Sequence, residues 1–116
     1  LHVQLAVAEA INNCIEHGYR ENASGCIDVL TLISDDRLTI EVTDDGPPLP
    51  LDELEHLLKK PIPEPSTDTP LLSSGRGLQI MRSTMDSVVF WRSADRNKLT
   101  LRKVLRRIYA EPEFQD

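Results

Sequence analysis

Two pairs of predicted β-strands constrain the fold of this chain more than any other feature of its sequence. Residues 26–33 and 37–44 alternate apolar and polar side chains and are joined by a short polar turn, as in a β-hairpin. A second pair follows at residues 87–93 and 99–108, with the turn-forming run ADRNK between them. We therefore predict one sheet to which each pair contributes two strands.

Three predicted helices precede or separate these strand pairs. Residues 1–17 contain neither Gly nor Pro and repeat apolar side chains with helical spacing, and Gly18 is placed to end this helix. Residues 51–59 form a short amphipathic helix, and residues 78–85 form a third. Helices between strand pairs predict an α+β fold, a two-layer α/β sandwich with the helices on one face of a mixed sheet. The whole chain, residues 1–116, is predicted to be one domain.

The segment at residues 60–74 has no periodic pattern and contains four prolines. A stretch of this length without regular structure is uncommon inside a compact domain and is usually functional. We therefore expect residues 60–74 to form a functional loop between the second and third helices.

The composition argues against several kinds of partner and against secretion or a membrane location. The net charge of −6 argues against binding to nucleic acid or to an anionic membrane surface. No stretch approaches the ~20 apolar residues of a membrane span, and no signal-peptide pattern is present. Cys14 and Cys26 match no metal-binding or redox spacing, as expected for reduced thiols. We therefore expect a cytoplasmic protein without direct nucleic-acid or membrane contacts.

A first group of polar side chains lies on the first helix, in the run EAINNCIEHG. Glu9 and Asn13 are four residues apart, so they are expected to stack on one face, about 40° from each other. This face is predicted to lie opposite an apolar stripe that includes Val7, Ile11 and Cys14. The segment alone allows two interpretations, a functional polar pair or the solvated side of an amphipathic helix.

Two glycine-containing segments follow, one at the end of a strand and one at the start of a helix. In VTDDGPP, Asp44 can accept a hydrogen bond from an exocyclic amine such as that of adenine, and Gly46 allows the turn that follows. An ordinary Asp-Gly turn explains the same residues. In SSGRGLQIM, Gly75 and Gly77 flank Arg76 at a predicted helix start, where backbone amides favour anions. Neither segment identifies a site alone.

In this order and spacing, the three segments resemble the motifs of the GHKL ATP-binding fold, which histidine kinases, gyrase-type ATPases and Hsp90 share. Residues 9–19 resemble the N-box of this family, residues 44–48 the G1 box, and residues 75–88 the G2 box with its following helix. Within the family, the chain is most similar to the anti-sigma-factor serine/threonine kinases of bacterial partner-switching systems. The resemblance covers residues 3 to about 104.

The resemblance implies a site for ATP and Mg²⁺ and a role for each matching residue. Asn13 would ligate Mg²⁺, and Glu9 would be the general base that takes the proton from the attacking hydroxyl. Asp44 would accept a hydrogen bond from the adenine amino group, and Thr100 would lie near Asp44. Residues 60–74 would form the ATP lid. The other implied nucleotide-binding residues are Gly46, Gly75, Arg76, Gly77 and Leu78.

The sequence departs from the family pattern at three points. Pro48 stands where the family has the second glycine of its DxGxG motif, which stiffens this loop. Ser73 stands where some members have an arginine near the γ-phosphate, a charge that Arg76 would then have to supply. The chain begins almost at the N-box, so a strand and part of a helix that usually precede this motif are expected to be missing.

The resemblance implies the function of an anti-sigma-factor kinase. Such a protein would bind a sigma factor or similar regulator and phosphorylate a serine or threonine of a small STAS-type antagonist protein, and it would form a homodimer. Two alternatives stay open. The chain could be the catalytic ATP-binding domain of a sensor histidine kinase, or a non-catalytic module that sequesters its partner under the control of ATP.

Overall fold

Residues 2–18, 25–61 and 74–105 are described by the structure, a computed structural model of the chain. The helices in these ranges are α1 (His2–Asn13), which continues in a π-helical turn (Cys14–Gly18), α2 (Leu51–Lys59) and α3 (Ser74–Thr84). The strands are β1 (Ile27–Ser34), β2 (Arg37–Asp44), β3 (Ser87–Ser93) and β4 (Arg96–Val104). None of these helices is long and apolar enough to cross a membrane.

The four strands form one sheet in the order β1-β2-β4-β3. A mixed sheet was predicted, but all the neighbouring pairs among the described strands are antiparallel. β1 and β2 are consecutive in the chain and joined by a two-residue turn, as are β3 and β4, and a turn this short can join only antiparallel strands. The middle pair, β2 and β4, is antiparallel as well. The predicted strand pairs are otherwise observed.

The last strand begins three residues earlier than predicted, at Arg96. The hairpin turn uses just Ala94 and Asp95, whose φ angles are 52° and 62°. Two central residues with positive φ are typical of the turns whose twist matches that of the flanking strands. The earlier start makes Asn97 a strand residue, directly opposite Asp44 of β2. The predicted end of this strand, residues 106–108, lies outside the described ranges.

The core lies between one face of the sheet and the helices. Its buried apolar side chains are Ala6, Ala10, Ile40, Val42, Met81, Met85, Leu99 and Leu101. On β2 and β4 these side chains alternate along the strand, so they share the face that the helices cover. The prediction that the helices lie on one face of the sheet is therefore confirmed.

β1 is more exposed than predicted for a half-buried strand. Its apolar side chains Val29, Leu30, Leu32 and Ile33 are all exposed, Ile33 to 69%. Among the strands that the structure describes, β1 is at the edge of the sheet and pairs on one side with β2. An edge position leaves part of a strand without a neighbour, which alternation in the sequence does not reveal.

Arg82 of α3 closes the C-terminal end of α2. Its guanidinium donates hydrogen bonds to the carbonyl oxygens of Leu57 (3.3 Å) and Leu58 (3.1 Å) and to that of Lys60. The last carbonyl groups of a helix have no partner within the helix, so Arg82 satisfies groups that would otherwise need water. Its positive charge also faces the negative end of the helix dipole. Arg82 therefore attaches α2 to α3.

Arg82→Met should lower the free energy of unfolding by about 1–2 kcal/mol, because several charge-assisted hydrogen bonds are lost at a partly exposed position. Denaturant unfolding followed by circular dichroism measures this difference. Lys59→Met is a matched control at the same helix end. Lys59 pairs with exposed Glu55 at 3.2 Å, and its loss should change stability by no more than about 0.5 kcal/mol. Equal stability of the two variants would show that Arg82 does not hold α2.

Candidate functional site

A cavity of about 230 Å³ lies between the sheet and the helices. The three described helices and both central strands line it, through residues that include Asn13 of α1, Asp44 of β2, Leu54 of α2, Leu78 of α3 and Asn97 of β4. The lining is largely apolar with a few polar groups, as is usual for a small-molecule site. Its volume is below the roughly 300–1,000 Å³ of pockets that enclose a whole drug-sized ligand. The cavity therefore suits a planar base better than an entire nucleotide.

Three residues predicted from separate segments meet in this cavity. Asn13, Asp44 and Leu78 belong to α1, β2 and α3, and all three contribute to its lining. The fold brings these elements together because α1 and α3 pack on the face of β2 and β4 that forms the core. The three motif segments therefore meet at one place in the structure.

Asp44 is the buried acceptor of this cavity, with 5% of its surface exposed. It ends β2, and its Oδ1 accepts hydrogen bonds from the backbone N–H of Gly46 at 2.8 Å and from Nδ2 of Asn97 at 3.0 Å. The bond to Gly46 closes a tight turn directly after the strand. Asp44 therefore closes an ordinary Asp-Gly turn and is also a buried acceptor for a ligand.

Cys14 lies beside Asp44 at the start of the π-helical turn. Burial, the negative charge of Asp44 and a hydrogen bond to that carboxylate together raise the pKa of the Cys14 thiol to about 12, and burial contributes most. At neutral pH the side chain is therefore a protonated donor toward Asp44. A thiol with so high a pKa is a poor nucleophile.

The raised pKa of Cys14 predicts a loss of stability at alkaline pH. In the unfolded chain the thiol ionises near its ordinary pKa of 9.0, whereas in the folded chain it keeps its proton to about 12. The unfolded state is therefore increasingly favoured as pH rises from about 9 to 12. The free energy of unfolding, measured between about pH 7 and 10, should fall less steeply for Cys14→Ala than for the wild type. Parallel curves would contradict this assignment.

Gly77 connects the cavity to Glu9. A Cβ atom at Gly77 would lie 2.9 Å from Oε1 of Glu9 and 3.4 Å from Oδ1 of Asn13. Because glycine has no side chain, the first turn of α3 approaches these polar groups of α1 without displacing them. Because Asn13 takes part both in this contact and in the cavity lining, the two places form one continuous site.

This contact corrects the predicted orientation of α1. The side of α1 that faces the core is centred on the buried residues Ala6 and Ala10. At about 100° per residue, Glu9 and Asn13 lie next to that side, because the buried side falls between them and the predicted apolar stripe, whose residues are only half-buried. Both are half-buried near α3, so they are not the solvated side of the helix.

The third helix starts earlier than predicted. α3 begins at Ser74, so Gly75, Arg76 and Gly77 belong to its first turn and do not precede it. The amide groups of a first turn have no acceptor within the helix and favour an anion. This turn lies against Glu9 and Asn13 through Gly77. Most of the predicted lid, residues 62–73 with Ser73 among them, lies outside the described residues.

The residues around Asn13 suit a metal ion held mainly by a polyphosphate. In the described ranges, no group of three or more His, Cys, Asp or Glu side chains is arranged as a metal site. Mg²⁺ does not need such a group, because it usually binds through one or two protein oxygens together with phosphates and water. Asn13 offers its side-chain oxygen beside the first turn of α3, and Glu9 places a carboxylate next to it.

Thr100 does not lie near Asp44, so this prediction is wrong. β4 pairs Thr100 with Glu41 of β2, and the Thr100 hydroxyl accepts a hydrogen bond from Nε1 of Trp91 at 2.9 Å. Side chains alternate between the faces of a strand, so Thr100, three residues after Asn97, points away from the cavity. The β4 residue beside Asp44 is Asn97, which the sequence placed in a turn. Asn97 stands two residues before Leu99 in the alternating apolar run, and this spacing could have placed it on the same face of the strand.

Several known sequences are similar to this chain. A family model described as the histidine kinase-like ATPase domain matches residues 1–103. An anti-sigma F factor of Clostridium acetobutylicum is 37% identical over 86 residues, which are 74% of this chain and 56% of that protein. The serine-protein kinase RsbW of Bacillus subtilis is 31% identical over 86 residues, 74% of this chain and 53% of that protein. The matched region thus spans about half the length of these relatives.

Solved structures share the fold at lower sequence identity. The catalytic domain of the histidine kinase ThkA has a TM-score of 0.65 and 16% identity, covering 89% of this chain and 65% of that one. The histidine kinase domain of the E. coli osmosensor EnvZ has a TM-score of 0.61 and 18% identity, covering 100% of this chain and 71% of that one. The likeness to these two proteins concerns the fold alone.

Proposed function

The chain belongs to the family of histidine kinase-like ATPase domains, and on this basis we propose that it binds ATP with Mg²⁺ and acts as a serine/threonine-protein kinase of the anti-sigma-factor type. The resemblance to the GHKL fold and the predicted α+β class are confirmed. We propose further that the protein binds a sigma factor or similar regulator in the cytoplasm and phosphorylates a small STAS-type antagonist. That residues 1–116 form a single domain stays a prediction.

One observation carries the proposal: Asn13 belongs to the cavity that contains Asp44 and also lies against Gly77 in the first turn of α3. A nucleotide with its base beside Asp44 would extend its phosphates past Asn13 toward the start of the helix, where backbone amides favour anions. Glu9 lies beside Asn13 at that end. The groups that would contact base, metal and phosphate therefore follow one another along one path.

Each of these residues has a distinct task in the proposal. Asp44 accepts a hydrogen bond from the adenine amino group, Asn13 ligates the metal, and Glu9 takes the proton from a serine hydroxyl in line with the γ-phosphate. Bound ATP and its Mg²⁺ supply the phosphoryl group and the charge that balances it. Leu78 lines the cavity and would pack beside the base. The nucleotide also contacts four further residues, Gly46, Gly75, Arg76 and Gly77.

The two sequence relatives support the anti-sigma-factor kinase over a sensor histidine kinase. They are named as an anti-sigma F factor and a serine-protein kinase, and they are 37% and 31% identical to this chain. The histidine kinases ThkA and EnvZ are 16% and 18% identical, and a likeness at that level carries no information on the phosphorylated side chain.

Gly77→Ala should slow phosphate transfer without destabilising the protein. The added methyl group would meet Oε1 of Glu9, the end of a flexible side chain, so the carboxylate would move and the backbone would not. Transfer should slow by about tenfold or more because the base is displaced from the hydroxyl. Alanine favours a helix over glycine by about 0.5–1 kcal/mol, so stability should be unchanged or slightly higher. Initial transfer rates and denaturant midpoints test both points, with exposed Ser83→Ala as the control.

The proposed function is tested by incubating the protein with γ-labelled ATP, Mg²⁺ and the small proteins encoded beside it. We expect label on a serine or threonine of one of these proteins, stable to acid. Acid-labile label on a histidine would indicate a sensor histidine kinase instead. Omitting Mg²⁺ should abolish labelling, and denaturing the proteins before detection removes nucleotide that is bound but has not been transferred.

A second candidate is a non-catalytic module that binds its partner under the control of ATP. One observation favours it: Glu9 is in contact with the Gly77 position but does not itself line the cavity. If ATP binds normally and no candidate antagonist is labelled, this second function is the better description.

A further inference from the structure

Asn97 is the most completely buried polar residue that the structure describes, with 1% of its surface exposed. It lies on β4, opposite Asp44 of β2, and it lines the cavity. The proposed function assigns it no task. A buried carboxamide is costly unless all its polar atoms are paired, so its partners show what it holds in place.

The amide nitrogen of Asn97 binds the segment that follows β2. Nδ2 lies within hydrogen-bond distance of three acceptors, at 3.0 Å from Oδ1 of Asp44, 2.8 Å from the carbonyl oxygen of Pro47 and 3.3 Å from that of Gly46. A carboxamide has two N–H donors, which these acceptors share. One side chain therefore binds both the carboxylate and the backbone beside the base site.

The carbonyl oxygen of Asn97 accepts two further hydrogen bonds. Nη1 of Arg92, on β3, donates to it at 2.8 Å, and the backbone N–H of Leu49 donates at 3.2 Å. Because an arginine and a backbone N–H can only donate, the oxygen must face them and Nδ2 must face Asp44. The chemistry of its partners thus determines the orientation of the carboxamide, and Arg92 contributes to it from outside the cavity.

This arrangement selects which oxygen of Asp44 is offered to a ligand. Oδ1 already accepts from Asn97 and from the backbone N–H of Gly46, so a donor on the base would bind Oδ2, on a carboxylate to which the Cys14 thiol also donates. The same contacts hold residues 46–49 in place, and Pro47 and Leu49 of this segment line the cavity. A fixed acceptor favours a purine that carries an amino group and disfavours one with an oxygen at that position.

We propose that Asn97, oriented by Arg92, is a positioning residue that gives the site its selectivity for adenine over 6-oxopurines. This inference rests on the proposed function, because it requires that the cavity bind a purine base. It extends that function by naming the group that holds Asp44 in position.

The test compares the affinities of ATP and inosine triphosphate, which has an oxygen in place of the adenine amino group, by calorimetry. Asn97→Asp keeps the shape of the side chain but replaces the donor facing Asp44 with a second carboxylate, and like charges this close displace or protonate one another. We expect ATP affinity to fall by about tenfold or more. The ratio of the affinity for ATP to that for inosine triphosphate should then approach one. A purely structural role would weaken both nucleotides equally and leave the ratio unchanged.

Arg92 provides a second variant if Asn97→Asp does not fold. Arg92→Met removes the donor and should reduce the preference for ATP, whereas Arg92→Lys keeps a donor and should retain it. Gln4→Glu makes the same amide-to-carboxylate change as Asn97→Asp on the exposed side of α1 and should leave the ratio unchanged. Unchanged ratios in Asn97→Asp and Arg92→Met would overturn this inference alone. Absence of ATP binding by the wild type would overturn the proposed function and the inference together.

Discussion

Asp44→Asn should weaken ATP binding by roughly 100-fold or more, the effect of losing a buried hydrogen bond to a charged acceptor and adding a mismatched donor. The asparagine oxygen can still accept from Gly46 and Asn97, so the turn after β2 should persist. The new amide group then replaces the oxygen left for the base and directs its hydrogens at the adenine amino group. Calorimetric titration with ATP measures the loss.

Asp45→Asn is the matched control for this experiment, because it makes the same change one residue later. The Asp45 carboxylate is exposed and accepts a hydrogen bond from Nε of Arg96 at 2.7 Å. Replacing an exposed carboxylate of this kind should change stability by no more than about 1 kcal/mol and leave ATP affinity essentially unaltered. Wild-type ATP affinity in Asp44→Asn, with the fold intact, would exclude Asp44 as the base acceptor.

Glu9→Ala should reduce phosphate transfer by about 10²- to 10⁴-fold, the usual contribution of a general base. ATP binding should be largely retained, because Glu9 lies against Gly77 and does not line the cavity. Single-turnover transfer and calorimetric ATP binding, measured on the same preparation, separate the two effects. Glu9→Gln keeps the shape of the side chain and should be equally impaired in transfer.

Glu16→Ala controls for the loss of a carboxylate from the same region of the chain. Glu16 is exposed in the π-helical turn that follows α1, and its replacement should leave transfer unchanged. If Glu9→Ala instead lost ATP affinity as severely as Asp44→Asn, Glu9 would be a binding residue and its assignment as the base would be refuted.

Much of the fold and the candidate site followed from short segments of sequence. Alternation at residues 37–44 predicted β2 with its observed bounds, because side chains on a strand repeat every two residues. Asp44 before Gly46 was selected because a carboxylate at a strand end can accept a hydrogen bond from an exocyclic amine. Glu9 and Asn13 were selected because the three segments together resemble the motifs of the GHKL fold, which implies their roles. The structure brings Asn13 and Asp44 to one cavity and places Glu9 at its end.

Two features could not be read from such segments, because both depend on elements far apart in the chain. Glu9 and Asn13 face α3 because Gly77 permits a close approach there. The residue beside Asp44 is Asn97 and not Thr100, because a two-residue turn sets the register of β4 against its neighbours, and a shift of three positions reverses the face of the sheet.

The element types, the motifs and their chemical character were therefore determined by local pattern, since periodicity and residue chemistry act over a few neighbouring positions. Which polar side chains are buried, and which of them holds the Asp44 carboxylate in place, depend on strand register and helix packing. Those are settled only when distant parts of the chain pair and exclude water between them.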